Sequence, residues 1–165
     1  LTASELIDLL DSVFTKFDTI CKTYGLEKIK TIGDAYMAVC GALLARDNHA
    51  ERAAQAALEM LAPFTLEREF SIPILLNFRI GLHSGSVVAG IIGENKYSYD
   101  LWGDAVNMAS RMESHGEPGR IHVTDEFRRA YMTTAEHPSS ITFRSRGTIE
   151  IKGKGMMNTY FLENR

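Results

Sequence analysis

The stretch that most constrains the fold runs from Leu26 to Val39 and reads LEKIKTIGDAYMAV. Two runs rich in β-branched and aromatic residues meet at Gly33-Asp34, a dipeptide that supplies the positive φ a tight hairpin turn demands. An amphipathic helix leads straight into this hairpin. From Ser4 to Tyr24, the residues Leu6, Leu10, Val13, Phe17, Ile20 and Tyr24 recur at spacings of three and four, and Gly25 follows as a stop. Thr2 and Glu5 offer a capping box at its start. A helix that feeds directly into a hairpin normally packs on a sheet with a strand before it, so a further strand is expected ahead of Leu1.

Beyond the hairpin, His49 to about Glu69 reads as a second helix with Ala53, Ala56, Ala57, Met60 and Leu61 on its buried side. The apolar density of Ile72 to Leu82 predicts a strand buried on both faces. Gly81-Leu-His-Ser-Gly85 and Gly90-Ile-Ile-Gly93 suggest a second hairpin with close backbone approaches. Neither glycine run ends in the Gly-Lys-Ser/Thr of a P-loop. Tyr97 to Trp102 is an aromatic-rich strand end, and a helix follows from Ala105 to about His115, closed by Gly116 and Pro118-Gly119. Ile121 to Val123 is a short strand, and Thr124 opens a helix whose first turn carries Asp125 and Glu126. Ile141 to Leu162 alternates into two or three strands. The pattern predicts an α+β fold: one mostly antiparallel sheet with helices packed on it.

At 165 residues the chain suits a single domain with a sizeable core. Its net charge of −3 provides no general footprint for nucleic acid, so any phosphate site has to be local. Cys21 and Cys40, the only cysteines, read as reduced packing residues of a cytosolic-type protein. No apolar run is long enough to span a membrane, so no membrane contact is expected within this chain, although the parent protein can be membrane-tethered.

Chemistry-bearing residues collect at a few places. Asp34 at the hairpin tip suits a divalent metal, and Lys30 on its arm suits an acceptor atom; both also suit a plain solvated turn. Asn107 and Arg111 are four apart on one helical face, a donor pair for phosphate or ribose oxygens, while Val106, Ala109 and Met112 are expected to face the core. Asp100, among Tyr97, Tyr99 and Trp102, either satisfies a neighbouring backbone group or accepts from a ligand N–H. Lys152 and Lys154, between glycines, form a phosphate clamp or an ordinary turn. Arg79, a charge in an apolar stretch, needs a partner or a site edge. His83 reads as a packed histidine.

In order and spacing these segments resemble one family. Lys28-Ile-Lys30-Thr-Ile-Gly-Asp34-Ala-Tyr-Met37, Arg79-Ile-Gly-Leu-His-Ser-Gly85, Tyr99-Asp-Leu-Trp-Gly103, Ala105-Val-Asn107-Met-Ala-Ser-Arg111-Met and Ile151-Lys-Gly-Lys-Gly155 are similar to the catalytic domain of class III nucleotidyl cyclases over nearly the whole chain. The resemblance implies a ferredoxin-like, palm-type domain over residues 1–165 that lacks its first strand. It implies cyclisation of a nucleoside triphosphate with release of pyrophosphate, assisted by two divalent cations (Mg2+ or Mn2+) per site. Asp34 would hold metal and Arg79 would meet the triphosphate. Asn107 would orient the ribose, Arg111 would stabilise charge at the α-phosphate, and Lys152 would meet the β- and γ-phosphates. Lys30 and Asp100 match the base-selecting pair, and their chemistry favours adenine, hence ATP, in a cytoplasmic adenylyl cyclase. Sites of this kind join two subunits, so a homodimer is expected. Two other readings stay open: a catalytically silent cyclase-like domain, and a guanylyl cyclase. With the strand bearing the other metal aspartate ahead of Leu1, low or no activity is expected of the 165 residues alone.

Overall fold

The computed structural model describes residues 1–63, 66, 69–92 and 98–165. Helix α1 (Ala3–Tyr24) begins with the expected capping box, Thr2 accepting from the Glu5 N–H, and ends at Gly25 in the left-handed conformation. Its buried stripe is rotated from the expected one. Leu9, Val13, Phe17, Ile20 and Cys21 are buried, and Leu6 stays 48% exposed. Glu5 takes the inward position at the start of this stripe because its carboxylate accepts from the Ser71 N–H (2.7 Å) and hydroxyl (2.9 Å). Those bonds, with the Ser71 main chain foremost, hold its pKa down at about 2.

Strands β1 (Glu27–Ile32) and β2 (Ala35–Val39) form the expected antiparallel hairpin, with Gly33 at φ 59° in the turn. Helix α2 (His49–Leu61) stops well before Glu69, because Pro63 disfavours helical geometry in Ala62. Ala54, Ala56, Ala57 and Met60 are buried as its inner face.

The expected strand from Ile72 to Leu82 is largely absent. Only β3 (Ile80–Leu82) is a strand, and it pairs in parallel with β6 (Ile121–Thr124). The preceding residues alternate instead: Ile74, Leu76 and Phe78 pack on the α1 cluster, while Leu75 is 87% exposed. That is a half-buried segment, and Arg79 belongs to its outward set. The second hairpin is also displaced along the chain. It consists of β4 (Val88–Ile92) and β5 (Ser98–Trp102), paired antiparallel; Gly93 and Tyr97 lie outside the described residues. Gly81 sits in β3, where an added Cβ would come 2.1 Å from the Glu113 nitrogen, so β3 rests on the backbone of helix α3 (Asp104–Ser114).

Helix α4 (Asp125–Thr134) is capped by Thr124 as expected. The C-terminal part makes two long strands, β7 (Ile141–Ile151) and β8 (Gly155–Asn164). In place of one sheet there are three sheets among the described residues: β1-β2, β4-β5, and β3-β6-β8-β7, the last antiparallel except at β3–β6. Helices α2 and α4 cover the four-stranded sheet through Ala50, Ala54, Ala57, Phe127 and Tyr131, packed on Ile121, Val123 and Leu162. The α+β class holds, with helices layered on mainly antiparallel sheets.

Candidate active site

A bulge in β1 aims the hairpin's two lysines. Lys28 pairs with Ala38 and Lys30 with Met37, so Ile29 is an extra residue in the ladder. Strict alternation would put Lys28 and Lys30 on one face. Because Ala38 and Met37 are neighbours, the bulge sends them to opposite faces. Lys28 turns towards α1, 3.2 Å from Asp18 and over the Tyr36 ring. Lys30 turns away and meets Asp100 of β5 at 2.7 Å.

Asp100 is the better buried of that pair, its side chain 17% exposed against 41% for Lys30. Its other oxygen accepts the Leu101 N–H at 2.8 Å. The Lys30 bond first, then the Leu101 N–H, holds the Asp100 carboxyl below the usual carboxylate range. A cationic donor and an anionic acceptor therefore stand side by side, brought together from positions 70 apart in sequence.

Strand β5 runs into α3 through Gly103, whose φ of 126° a side chain would resist. The core face of α3 is Met108 and Met112, packed with Ile151, Ile149 and Met157. Val106 and Ala109, expected there, are only half-buried. The correction follows from the spacing: Met108 and Met112 are four apart and one step round from Asn107 and Arg111. Those two consequently share the outer face, Asn107 exposed and Arg111 half-buried. Among the described residues neither side chain makes a hydrogen bond or ion pair, which leaves an amide and a guanidinium available to a ligand.

The turn between β7 and β8 lies along this helix. Lys152 is exposed, its main-chain N–H donating to His115 Nε2 at 3.2 Å. Lys154 pairs with Asp104 at the opposite end of α3. Arg79 finds its partner in Glu113 of α3, 3.2 Å away, and remains 45% exposed. Asp34 is exposed at the hairpin tip and takes no hydrogen bond or ion pair among the described residues. No three His, Cys, Asp or Glu side chains gather as a metal centre among the described residues. A lone carboxylate still suits Mg2+, which takes one or two carboxylates and fills its shell with water and substrate phosphates.

Lys30 and Asp100 are thus in direct contact, and Asn107, Arg111 and Lys152 share one helix-and-turn unit. Arg79 joins that unit through Glu113; Asp34 stands apart from these contacts. Sequence reasoning missed two supporting histidines, His115 and His122, while His83 is the packed histidine it expected. His83 Nδ1 lies 2.8 Å from Thr124 Oγ1, which also accepts the Phe127 N–H. His122, fully buried, bonds Met112 O at 2.8 Å and Thr159 Oγ1 at 2.7 Å. His115 holds the Lys152 turn. No short-range signal marks them, since each partner lies ten or more residues away.

Comparison with known proteins matches the chain to a family. The profile of the adenylate and guanylate cyclase catalytic domain covers residues 1–164. The chain is 41% identical over 165 residues to the adenylate cyclase of Mycobacterium tuberculosis, covering 98% of this chain and 35% of that protein. It is 39% identical over 161 residues to the guanylate cyclase soluble subunit beta-2 of Rattus norvegicus, covering 96% of this chain and 22% of that protein. In structure it is similar to the guanylate cyclase domain of RhGC from Catenaria anguillulae, solved in complex with GTP. That likeness has a TM-score of 0.86 and 35% identity, and covers 100% of this chain and 87% of that one. The fold is that of a class III nucleotidyl cyclase catalytic domain. The chain belongs to the adenylate and guanylate cyclase family, and spans about a fifth to a third of the length of these two curated relatives. No helix among the described residues is long and apolar enough to cross a membrane.

Proposed function

We propose that this domain is an adenylyl cyclase, converting ATP to 3′,5′-cyclic AMP and pyrophosphate. The observation that carries the reading is the Lys30–Asp100 pair, an ammonium donor and a carboxylate acceptor 2.7 Å apart. Adenine presents an acceptor, N1, beside a donor, the 6-amino group, so the pair matches that edge group for group. Guanine reverses both, with N1–H and O6, and would leave each protein group facing its like. An arriving adenine replaces one ion pair with two hydrogen bonds of the same polarity.

In the reaction the ribose 3′-oxygen attacks the α-phosphorus in line, the bond to pyrophosphate breaks, and the 3′-hydroxyl proton is released. Such a transfer depends on positioning and charge neutralisation. Asn107 orients the ribose from the outer face of α3. Arg111, one turn on, donates to oxygens that gain charge at the α-phosphate. Lys152 meets the β- and γ-phosphates as a point charge. Arg79 uses only one edge of its guanidinium on Glu113, which leaves further N–H groups for the triphosphate. Divalent cations, two Mg2+ or Mn2+ per site with Asp34 among their ligands, would neutralise phosphate charge when bound.

A homodimer completes the reading, Asp34 and Arg79 of one chain facing Lys30, Asp100, Asn107, Arg111 and Lys152 of a second. The guanylyl alternative is favoured by one observation: relatives of nearly equal identity carry either name. Incubating the protein with ATP and GTP under Mg2+ or Mn2+, and separating products by chromatography, decides between them. Cyclic AMP as the main product is expected. Cyclic GMP in excess overturns the adenine reading, and no product with either nucleotide from a chain that carries the expected upstream strand favours the silent-domain reading.

A further inference from the structure

We infer that His115 is a positioning residue for Lys152, joining the β7–β8 turn to the helix that carries Asn107 and Arg111. The inference rests on Lys152 being a triphosphate contact. The turn has little packing of its own: a Cβ built at Gly153 or at Gly155 would meet nothing within 4 Å. Ile151 just before it is buried against Met108 and Met112, but the two lysines reach beyond that anchor. Beyond the Ile151–Gly155 ladder pair and the Lys154 N–H bond to Ile151 O, the turn is fastened at each end of α3. At one end Lys154 pairs with Asp104. At the other, His115 Nε2 accepts the Lys152 N–H at 3.2 Å.

His115 is well placed for this. It caps the C-terminus of α3, its own N–H donating to Arg111 O at 2.9 Å, and its carbonyl accepts from Arg146 of β7. Two main-chain bonds therefore set where the imidazole sits before the ring is used. Because Lys152 N–H is a donor, Nε2 keeps its lone pair and the ring proton resides on Nδ1. Arg111 and Lys152 are thus referred to one residue: Arg111 through its carbonyl, Lys152 through its amide. A shift of the turn moves the lysine relative to the arginine, and misplacement of an ångström is enough to weaken a positioned phosphate contact.

The test compares wild type with His115→Ala, His115→Gln and Lys152→Ala. Amide hydrogen exchange at Lys152 and affinity for inorganic tripolyphosphate are measured, and KM and kcat where product forms. Glutamine carries an acceptor oxygen at about the reach of Nε2. His115→Ala is expected to speed Lys152 exchange and to weaken tripolyphosphate binding and raise KM about fivefold, the worth of one hydrogen bond, with kcat nearly unchanged. His115→Gln restores all of these. If wild type and Lys152→Ala bind tripolyphosphate equally, the triphosphate reading of Lys152 fails and the positioning role falls with it. If they differ but His115→Ala binds like wild type, that reading stands and the role of His115 alone is overturned. Unchanged exchange in His115→Ala, or a folded His115→Gln that rescues nothing, also overturns it.

Discussion

Lys28 and Lys30 differ in what they serve because one extra residue lies between them. Lys28 makes an exposed ion pair with Asp18 of the kind worth at most about 1 kcal/mol, whereas Lys30 meets a mostly buried carboxylate. Lys28→Ala is therefore expected to lower the melting temperature slightly and leave nucleotide preference unchanged. Lys30→Glu with Asp100→Cys should shift the ratio of cyclic AMP to cyclic GMP by about tenfold or more towards cyclic GMP, since each substitution removes a match to adenine. Competition assays with both nucleotides read the ratio, and an unchanged ratio would remove these residues from base selection. Glu5 illustrates a different residue-level effect. Its folded pKa of about 2 lies below the ordinary 4.5, so its contribution is complete above about pH 4.5 and is lost as pH falls towards 2. Acid unfolding followed by circular dichroism should show Glu5→Gln losing stability at neutral pH and flattening this part of the profile.

Two paired residues of the β3–β6 ladder, Gly81 and His122, fix helix α3 at its Met112–Glu113 peptide. Gly81 admits the β3 backbone against Met112 and Glu113. A methyl group there has to push main chain aside, so Gly81→Ala is expected to cost at least about 1–3 kcal/mol in a denaturant melt. Beside Gly81 in the ladder, His122 holds the Met112 carbonyl. Burial pushes its pKa below the ordinary 6.5, so the folded protein keeps it neutral while the unfolded chain takes a proton. Arg146, His115 and Glu117 also act on this ring. The sign follows: the contribution is complete above about pH 6.5 and declines as pH drops below it. Melting temperatures between pH 5 and 8 check this. The decline should be smaller in His122→Gln.

For the molecule as a whole, the hairpin divides its duties. Lys30 works within one chain, against Asp100, while Asp34 projects from the turn with no partner among the described residues. In the proposed homodimer, Asp34→Ala and Lys30→Ala damage different sites. Mixing the two variants should restore one intact site per mixed dimer and up to about a quarter of wild-type activity, the statistical share for random pairing. No recovery despite dimerisation by sedimentation would exclude the shared site.

The elements legible in the sequence are those whose causes lie within a few residues. The Thr2–Glu5 capping box, Gly25 as a helix stop, the Gly33-Asp34 turn and the Thr124 cap all formed where their local chemistry puts them. The i,i+4 spacing of Asn107 and Arg111 likewise set their common face. Three expectations failed for reasons that no short window contains. Leu6 lost its inward place to Glu5 because Ser71, 66 positions away, caught the carboxylate. The residues before β3 packed on α1 instead of joining a ladder, and the glycine-rich segment split between β3 and β4. The two lysines parted at a bulge that periodicity does not reveal. Sequence alone determined which chemical groups are available and the local backbone that carries them. Tertiary structure decided which groups meet, Lys30 with Asp100, Arg79 with Glu113 and His115 with Lys152, because such pairing depends on how distant elements pack.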